Sequence, residues 1–392
     1  MVYSAVEEKI IVSGTGLKKI RQIGLGKNMN KNIFAVIMAG GQGERFWPGS
    51  RRDKPKQLLN LVSSVTMIEE TMARLTHLIP PENIIVMTGA KLVPSIQSLL
   101  PELPAENIIG ESVGRNTAPC LAAACGVINN RTNFAPDAVM LVMPSDHLIE
   151  PVEDFIVTLE NIIRSLDNHP DFLYTIGIKP TFPSTAYGYI KCGSATENPE
   201  ILHGESFVEK PALPLAQEFV AAGNYFWNGG MFIWRTGTLM AALKKYAAEL
   251  SELADMAAGA DGEGRMEQFM NEKYPAAKSI SIDYAIMEKV GSFMVAAGNF
   301  SWDDIGSWSA LGSHFGKDAD NNAVRGNFVG ESVHNCVIYN DDPEHLLAGI
   351  DLNSMMLIHA GNATLAAPLS SDQKVRDIVK QLKNNEKNQK FL

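Results

Sequence analysis

The first strongly patterned segment is Ile33-Phe34-Ala35-Val36-Ile37-Met38, a continuous apolar run that stops at a glycine pair. Unbroken apolarity, rather than alternation, marks a strand covered on both faces, as in a parallel sheet. Two similar runs follow, Ile84-Ile85-Val86-Met87 and Ala138-Val139-Met140-Leu141-Val142-Met143, separated by helical stretches around residues 67–78 and 118–129. Strands alternating with helices predict a doubly wound α/β sheet with its ligand site at the carboxyl ends of the strands. Further strand and helix signals at 172–178, 215–222 and 231–234 read as the second half of the same domain. After Trp308 the pattern changes to short β-like pieces at 323–329, 336–339 and 354–359, then a last helix near 373–382, with no internal repeat strong enough to name. The expected organisation is an extension over residues 1–30, an α/β domain over 31–310 and a β-rich C-terminal module over 311–392.

Composition narrows the class of protein. Of 392 residues, 45% are hydrophobic and 20% charged, ordinary values for a globular chain. The densest small-residue stretch, 118–128, falls short of the ~18 residues that span a bilayer and reads as a buried helix. No membrane partner is expected. A net charge of −10 argues against a general nucleic-acid binder, which needs a basic face. Cys120, Cys125, Cys192 and Cys336 show neither metal-binding spacing nor the density of a disulfide scaffold, which favours a reducing compartment and the core. The histidines form no zinc-binding pair. Residues 1–28 hold five basic and two acidic side chains and no apolar run longer than Ile10-Ile11-Val12, too short for an export signal. The extension is expected to be disordered, or to precede a natural start at Met29, and the protein to be cytoplasmic.

Against the acidic whole, one segment is basic. The first strand is followed by Gly40-Gly41-Gln42-Gly43-Glu44-Arg45-Phe46-Trp47-Pro48 and then Arg51, Arg52, Lys54, Pro55, Lys56 and Gln57; from Gly43 to Lys56 there are five basic and two acidic residues. Glycines at a strand end let backbone N–H groups approach an anion, and nearby cations balance its charge. A triphosphate fits, whereas a tight turn alone would not explain Arg45 and the Lys-Pro-Lys-Gln stretch. The loop lacks the Gly-Lys-Ser/Thr ending of a P-loop, and Phe46 stands where a dinucleotide fingerprint needs glycine. Arg51 and Arg52 read as solvated surface.

Two acidic positions stand out. Asp146, in Pro144-Ser145-Asp146-His147, follows the third apolar run, and Asp303 and Asp304 lie in Trp302-Asp303-Asp304-Ile305-Gly306-Ser307-Trp308. Carboxylates are hard ligands suited to Mg²⁺, which takes one or two of them together with phosphates and water. The plainer readings are an N-cap for Asp146 and an exposed turn for the pair. His147 reads as a structural hydrogen-bonding residue.

Taken in order, Gly-Gly-Gln-Gly-Glu-Arg-Phe-Trp-Pro (40–48), Lys-Pro-Lys-Gln (54–57), Gly-Arg-Asn-Thr-Ala-Pro (114–119), Pro-Ser-Asp-His (144–147), Glu-Lys-Pro (209–211) and Trp-Asp-Asp-Ile-Gly-Ser-Trp (302–308) make the chain resemble the mannose-1-phosphate guanylyltransferase family over about residues 32–310. The resemblance implies a Rossmann-like nucleotidyltransferase domain with a mixed, mostly parallel sheet, and conversion of GTP and mannose 1-phosphate to GDP-mannose and pyrophosphate. It implies that Gly40, Gly41 and Gly43 contact the nucleotide, that Arg45 and Lys56 neutralise the triphosphate and departing pyrophosphate, and that Asp146 and Asp304 bind Mg²⁺ or Mn²⁺, with Asp303 a spacer. Glu111, where thymidylyl- and adenylyltransferases usually carry glutamine, would read the guanine edge, supported by Asn116 and Thr117. Lys210 would bind the sugar phosphate, Glu209 a sugar hydroxyl, and Gly188 and Asn228 the sugar. Asp283 also matches a motif, with an N-cap as the competing role. A homodimer is expected by the same resemblance, and phosphomannose isomerase activity is not, because the chain ends without the isomerase domain of bifunctional relatives. Competing readings are another sugar-1-phosphate nucleotidyltransferase, thymidylyl or adenylyl, a catalytically silent nucleotide-sugar sensor, and a dinucleotide-binding oxidoreductase.

Overall fold

The computed structural model describes residues 8–13, 16–21 and 32–392. Most of the extension expected over 1–30 lies outside them; within it, Glu8–Ser13 pairs antiparallel with Gly16–Arg21.

Nine strands form the central sheet: β1 (Ile33–Ala39), β2 (Ile84–Gly89), β3 (Ile108–Glu111), β4 (Val139–Pro144), β5 (Tyr174–Ile178), β6 (Tyr189–Ala195), β7 (Ile201–Val208), β8 (Tyr225–Arg235) and β9 (Phe293–Gly298). Their order is β3-β2-β1-β4-β8-β5-β9-β7-β6, with β6 also pairing with β8. The sheet is mixed: β1 to β4 pair in parallel, β8 runs antiparallel to β4 and β5, and β9 is parallel to β5. The continuous apolar runs occupy β1, β2 and β4, whose residues are nearly all buried because helices cover both faces. One cover is Thr117–Arg131, apolar all round and buried along almost its whole length. It packs so closely on Ala248–Gly262 that a Cβ at Gly126 would sit 2.1 Å from the Ala254 carbonyl oxygen. No helix among the described residues is long and apolar enough to cross a membrane.

A two-stranded antiparallel ladder, Leu148–Glu150 with Ser301–Asp303, stands apart from the large sheet and sets Leu148 opposite Asp303. Residues distant in sequence are thereby fixed side by side.

Beyond Trp308 the strands pair in parallel, except that Met355–Ala360 runs antiparallel to Ala363–Pro368. Phe328–His334 pairs with Leu347–Asn353 and Val337–Asn340 with Met355–Ala360, so Phe328 faces Leu347 and Val337 faces Met356 at the same sequence offset. Asn335 and Ser354, both with positive φ, turn the chain between successive strands, and the Asn335 amide donates to Asn353 Oδ1 at 3.1 Å. This is a coiled repeat that the sequence pattern did not disclose, since its spacing is carried by turns and not by identical residues. The closing helix is Val375–Lys383. Val337, Tyr339, Met356, Ile358, Val375 and Val379 share one apolar cluster with Phe46, Trp47 and Trp308, so the C-terminal region is packed onto the basic loop.

Candidate active site

The site forms where β1 and β4 end. They run in parallel with Met38 opposite Pro144, and the Ser145 N–H donates to the Met38 carbonyl at 3.1 Å, which places Gly40 and Asp146 at one sheet edge. The basic segment returns to that edge because the buried Gln57 amide donates to the Ala39 carbonyl at 2.7 Å. Gly43 has φ 59°, and a Cβ there would lie 2.5 Å from Lys56 Cβ; only glycine gives both the left-handed turn and room for the lysine. Gly40 and Gly41 are exposed, and a Cβ at Gly41 would meet nothing within 4 Å, so backbone N–H groups there are open to an incoming anion.

Lys56 is the centre of the arrangement. It is only 4% exposed, and its ammonium donates to Asp146 Oδ2 at 2.8 Å, to the Asp146 carbonyl at 2.8 Å and to the Asp304 carbonyl. Burial pushes the Asp146 carboxyl upward, but Lys56, His147 and Arg45 together outweigh it and hold Asp146 below the ordinary aspartate value. Its side chain is 34% exposed, so the anion faces the cleft. Asp146 is followed by the short strand and no helix, which removes the N-cap alternative.

The ladder of Leu148–Glu150 with Ser301–Asp303 brings Asp304 to the same place. A side chain at Gly306 would come within 3.1 Å of both Arg45 Nη1 and Asp304 Oδ1, so guanidinium and carboxylate are neighbours. Arg45 lies below its ordinary value, lowered by burial, then raised by Asp304 and lowered again by Arg376. The two adjacent aspartates divide their work. Asp303 accepts from the Ile305 N–H at 2.7 Å and bonds His314 Nε2 at 2.8 Å, whereas Asp304 Oδ1 accepts from the Tyr187 hydroxyl at 3.0 Å. Among the described residues no group of three or more His, Cys, Asp and Glu side chains could hold a metal. Two carboxylates beside an open glycine loop instead suit a hard divalent cation that completes its shell with phosphate and water.

Glu111 ends β3 and is buried, and a Cβ at Gly40 would lie 3.2 Å from its Oε2, so the carboxylate borders the glycine loop. Burial raises its pKa, and a hydrogen bond from the Tyr274 hydroxyl opposes the rise. Asn116 and Thr117 have local roles: Asn116, φ 68°, accepts from the Thr117 N–H at 2.8 Å, and Thr117 Oγ1 accepts from the Ile282 N–H at 2.8 Å.

The residues expected to bind the sugar phosphate form a second cluster. A Cβ at Gly188 would lie 2.5 Å from Glu209 Oε2, and the Asn228 N–H donates to the Gly188 carbonyl at 2.8 Å. The Asn228 amide donates to Asp283 Oδ1 at 3.0 Å, and Lys210, exposed and with φ 47°, is ion-paired with Glu209. Asp283 opens a short π-helical turn whose N-cap is Ile282, so the N-cap role is corrected to one of facing Asn228. Burial first, then Glu209, pushes its carboxyl up to about 6. Tyr187 joins the clusters, being next to Gly188 in the chain and bonded to Asp304. Its ring packs between Trp227 and Trp302 at 5.0 and 5.2 Å.

Sequence reasoning passed over Tyr187, although it directly precedes Gly188 in the chain, and Tyr274, which carries no local signal. His147 is structural as expected: Nδ1 accepts from Trp302 Nε1 at 3.1 Å, and burial lowers its pKa. Arg51 corrects an expectation. It is half-buried, not solvated, and donates to the Ser50 carbonyl at 3.3 Å and the Ala360 carbonyl at 3.2 Å, tying the loop to the C-terminal strands.

Known proteins resemble this chain over most of its length. The nucleotidyl transferase family matches residues 34–321. The chain is 32% identical over 357 residues to mannose-1-phosphate guanylyltransferase of Escherichia coli (strain K12), covering 90% of this chain and 73% of that protein. It is 33% identical over 366 residues to mannose-1-phosphate guanylyltransferase RfbM of Salmonella typhimurium, covering 91% and 74%. The crystal structure of mannose-1-phosphate geranyltransferase from Thermus thermophilus is similar with a TM-score of 0.77 at 32% identity, covering 90% of this chain and 99% of that one.

Proposed function

The chain belongs to the nucleotidyl transferase family, and from that membership we infer that it is a mannose-1-phosphate guanylyltransferase, converting GTP and α-D-mannose 1-phosphate to GDP-mannose and pyrophosphate. The observation that carries the reading is the three-way bond of Lys56, which joins the glycine loop, the end of β4 and residue 304 at one point.

In this reading a phosphate oxygen of mannose 1-phosphate attacks the α-phosphorus of GTP in line, and the bond from that phosphorus to the bridging oxygen of pyrophosphate breaks. The nucleophile is already an anion, so a general base has little to do. Catalysis rests on positioning and charge neutralisation. Arg45 and Lys56 meet the negative charge of the triphosphate and of the leaving pyrophosphate. Asp146 and Asp304 would hold Mg²⁺ or Mn²⁺, which when bound would screen the phosphate charges. Glu111 can accept from the N1–H and N2–H₂ donors of guanine, while adenine and thymine present a different edge, so its place beside Gly40 supports GTP. Glu209, Lys210, Gly188 and Asn228 take the sugar phosphate. A cytoplasmic location and a homodimer remain part of this proposal.

The test is pyrophosphate release with GTP, mannose 1-phosphate and Mg²⁺, omitting each in turn and then exchanging GTP for the other three triphosphates and the sugar phosphate for glucose 1-phosphate. Release that persists without the sugar phosphate, or faster turnover with another base, overturns the assignment.

A further inference from the structure

The C-terminal helix Val375–Lys383 lies against the basic loop. Val375 and Val379 are buried with Phe46 and Trp47, Lys383 is ion-paired with Glu44, and Gln373 Oε1, just before the helix, accepts from Arg45 Nη1 at 3.5 Å. Residues 376, 379 and 383 recur at helical spacing and share one side of the helix. With Val379 buried and Lys383 on Glu44, Arg376 is carried toward Arg45. Gln373, which meets Arg45, precedes Arg376 by three residues, so the stretch that touches Arg45 also carries Arg376. The Asp372 segment is fastened to Ser309, one residue beyond the Trp302–Trp308 stretch, by a hydrogen bond between their side chains.

Two guanidinium groups on the same rim repel, and a polyanion between them would turn that repulsion into attraction. Arg376 is exposed and therefore free to reach such an anion. Resting on the reading that this loop takes a nucleoside triphosphate, we propose that Arg376 is a second arginine for its terminal phosphates, so that the C-terminal region completes the site for the departing pyrophosphate. Arg45 engages the anion from the glycine-loop side and Arg376 from the helix side.

Titration calorimetry of inorganic pyrophosphate into the full-length protein, its Arg376→Gln variant and its Arg376→Lys variant tests this, with melting temperature and the KM of each substrate measured alongside. The expected result is about tenfold or greater weakening of pyrophosphate binding in Arg376→Gln. Partial recovery in Arg376→Lys, a raised KM for GTP, an unchanged KM for mannose 1-phosphate and an unchanged melting temperature complete the expectation. Equal pyrophosphate affinity in wild type and Arg376→Gln, absence of binding to the wild type, or a parallel rise in both KM values would overturn it. A wild type that binds pyrophosphate through Arg376 yet makes none from GTP and mannose 1-phosphate would instead reject the assigned reaction and leave this inference standing.

Discussion

Lys56 is a buried cation whose partners all belong to other segments, so its removal leaves Asp146 without its principal counter-charge. We expect Lys56→Ala, Asp146→Asn and Asp304→Asn each to lower kcat by roughly two to three orders of magnitude, with circular dichroism unchanged. Near-wild-type turnover in any one would remove that residue from the mechanism. Asp283 supplies a pH test. Its carboxyl is raised to about 6, well above the ordinary aspartate range, so the folded protein holds this proton more tightly than the unfolded chain. The stabilisation this gives is complete below the ordinary value and is lost as pH rises through about 6, where the buried group must ionise beside Glu209. Asp283→Asn, which cannot ionise, should therefore melt higher than wild type at neutral pH by roughly 1–4 °C, and the advantage should shrink on acidification toward pH ~4. A difference independent of pH would mean that this group does not titrate in the folded protein.

At the scale of elements, the glycine loop separates two demands that a motif alone merges. Gly43 needs a left-handed backbone and space beside Lys56, whereas Gly41 needs neither within the protein. Gly43→Ala should displace Lys56, lowering the melting temperature and reducing kcat by about tenfold or more. Gly41→Ala should fold like wild type but raise the KM for GTP, since its Cβ would stand where phosphate approaches the backbone. Similar melting temperatures for the two variants would show that the turn tolerates a side chain. The short ladder of Leu148–Glu150 with Ser301–Asp303 is the other decisive element, because its register puts residue 304 beside residue 146.

For the whole molecule, the apolar cluster shared by Phe46, Trp47, Trp308, Val337, Ile358 and Val375 makes the C-terminal region structural support for the loop. A chain ending after residue 320 would expose that cluster and free Arg51 from the Ala360 carbonyl. We expect it to lose activity by orders of magnitude and to aggregate, measured by turnover and light scattering; a monodisperse, active truncation would show that the loop holds itself in place. Deleting residues 1–28 should change neither turnover nor melting temperature, and a large loss in either would give the extension a role.

The amino-acid sequence by itself determined the buried parallel strands, the enclosed helix around 118–129, the basic glycine loop and the identities of the charged residues, because apolar runs, glycines and motif spacing are local properties of the chain. The family resemblance, and not the residues alone, grouped Gly188, Glu209, Lys210 and Asn228, without the bond of Asn228 to Asp283. Only the tertiary structure decided that Lys56, Asp146 and Asp304 meet, that Tyr187 links the two clusters, and that the C-terminal helix reaches Arg45. Those contacts depend on strand order and on the register of a three-residue ladder. Neither leaves a periodic trace, since each is fixed by where distant surfaces can pack.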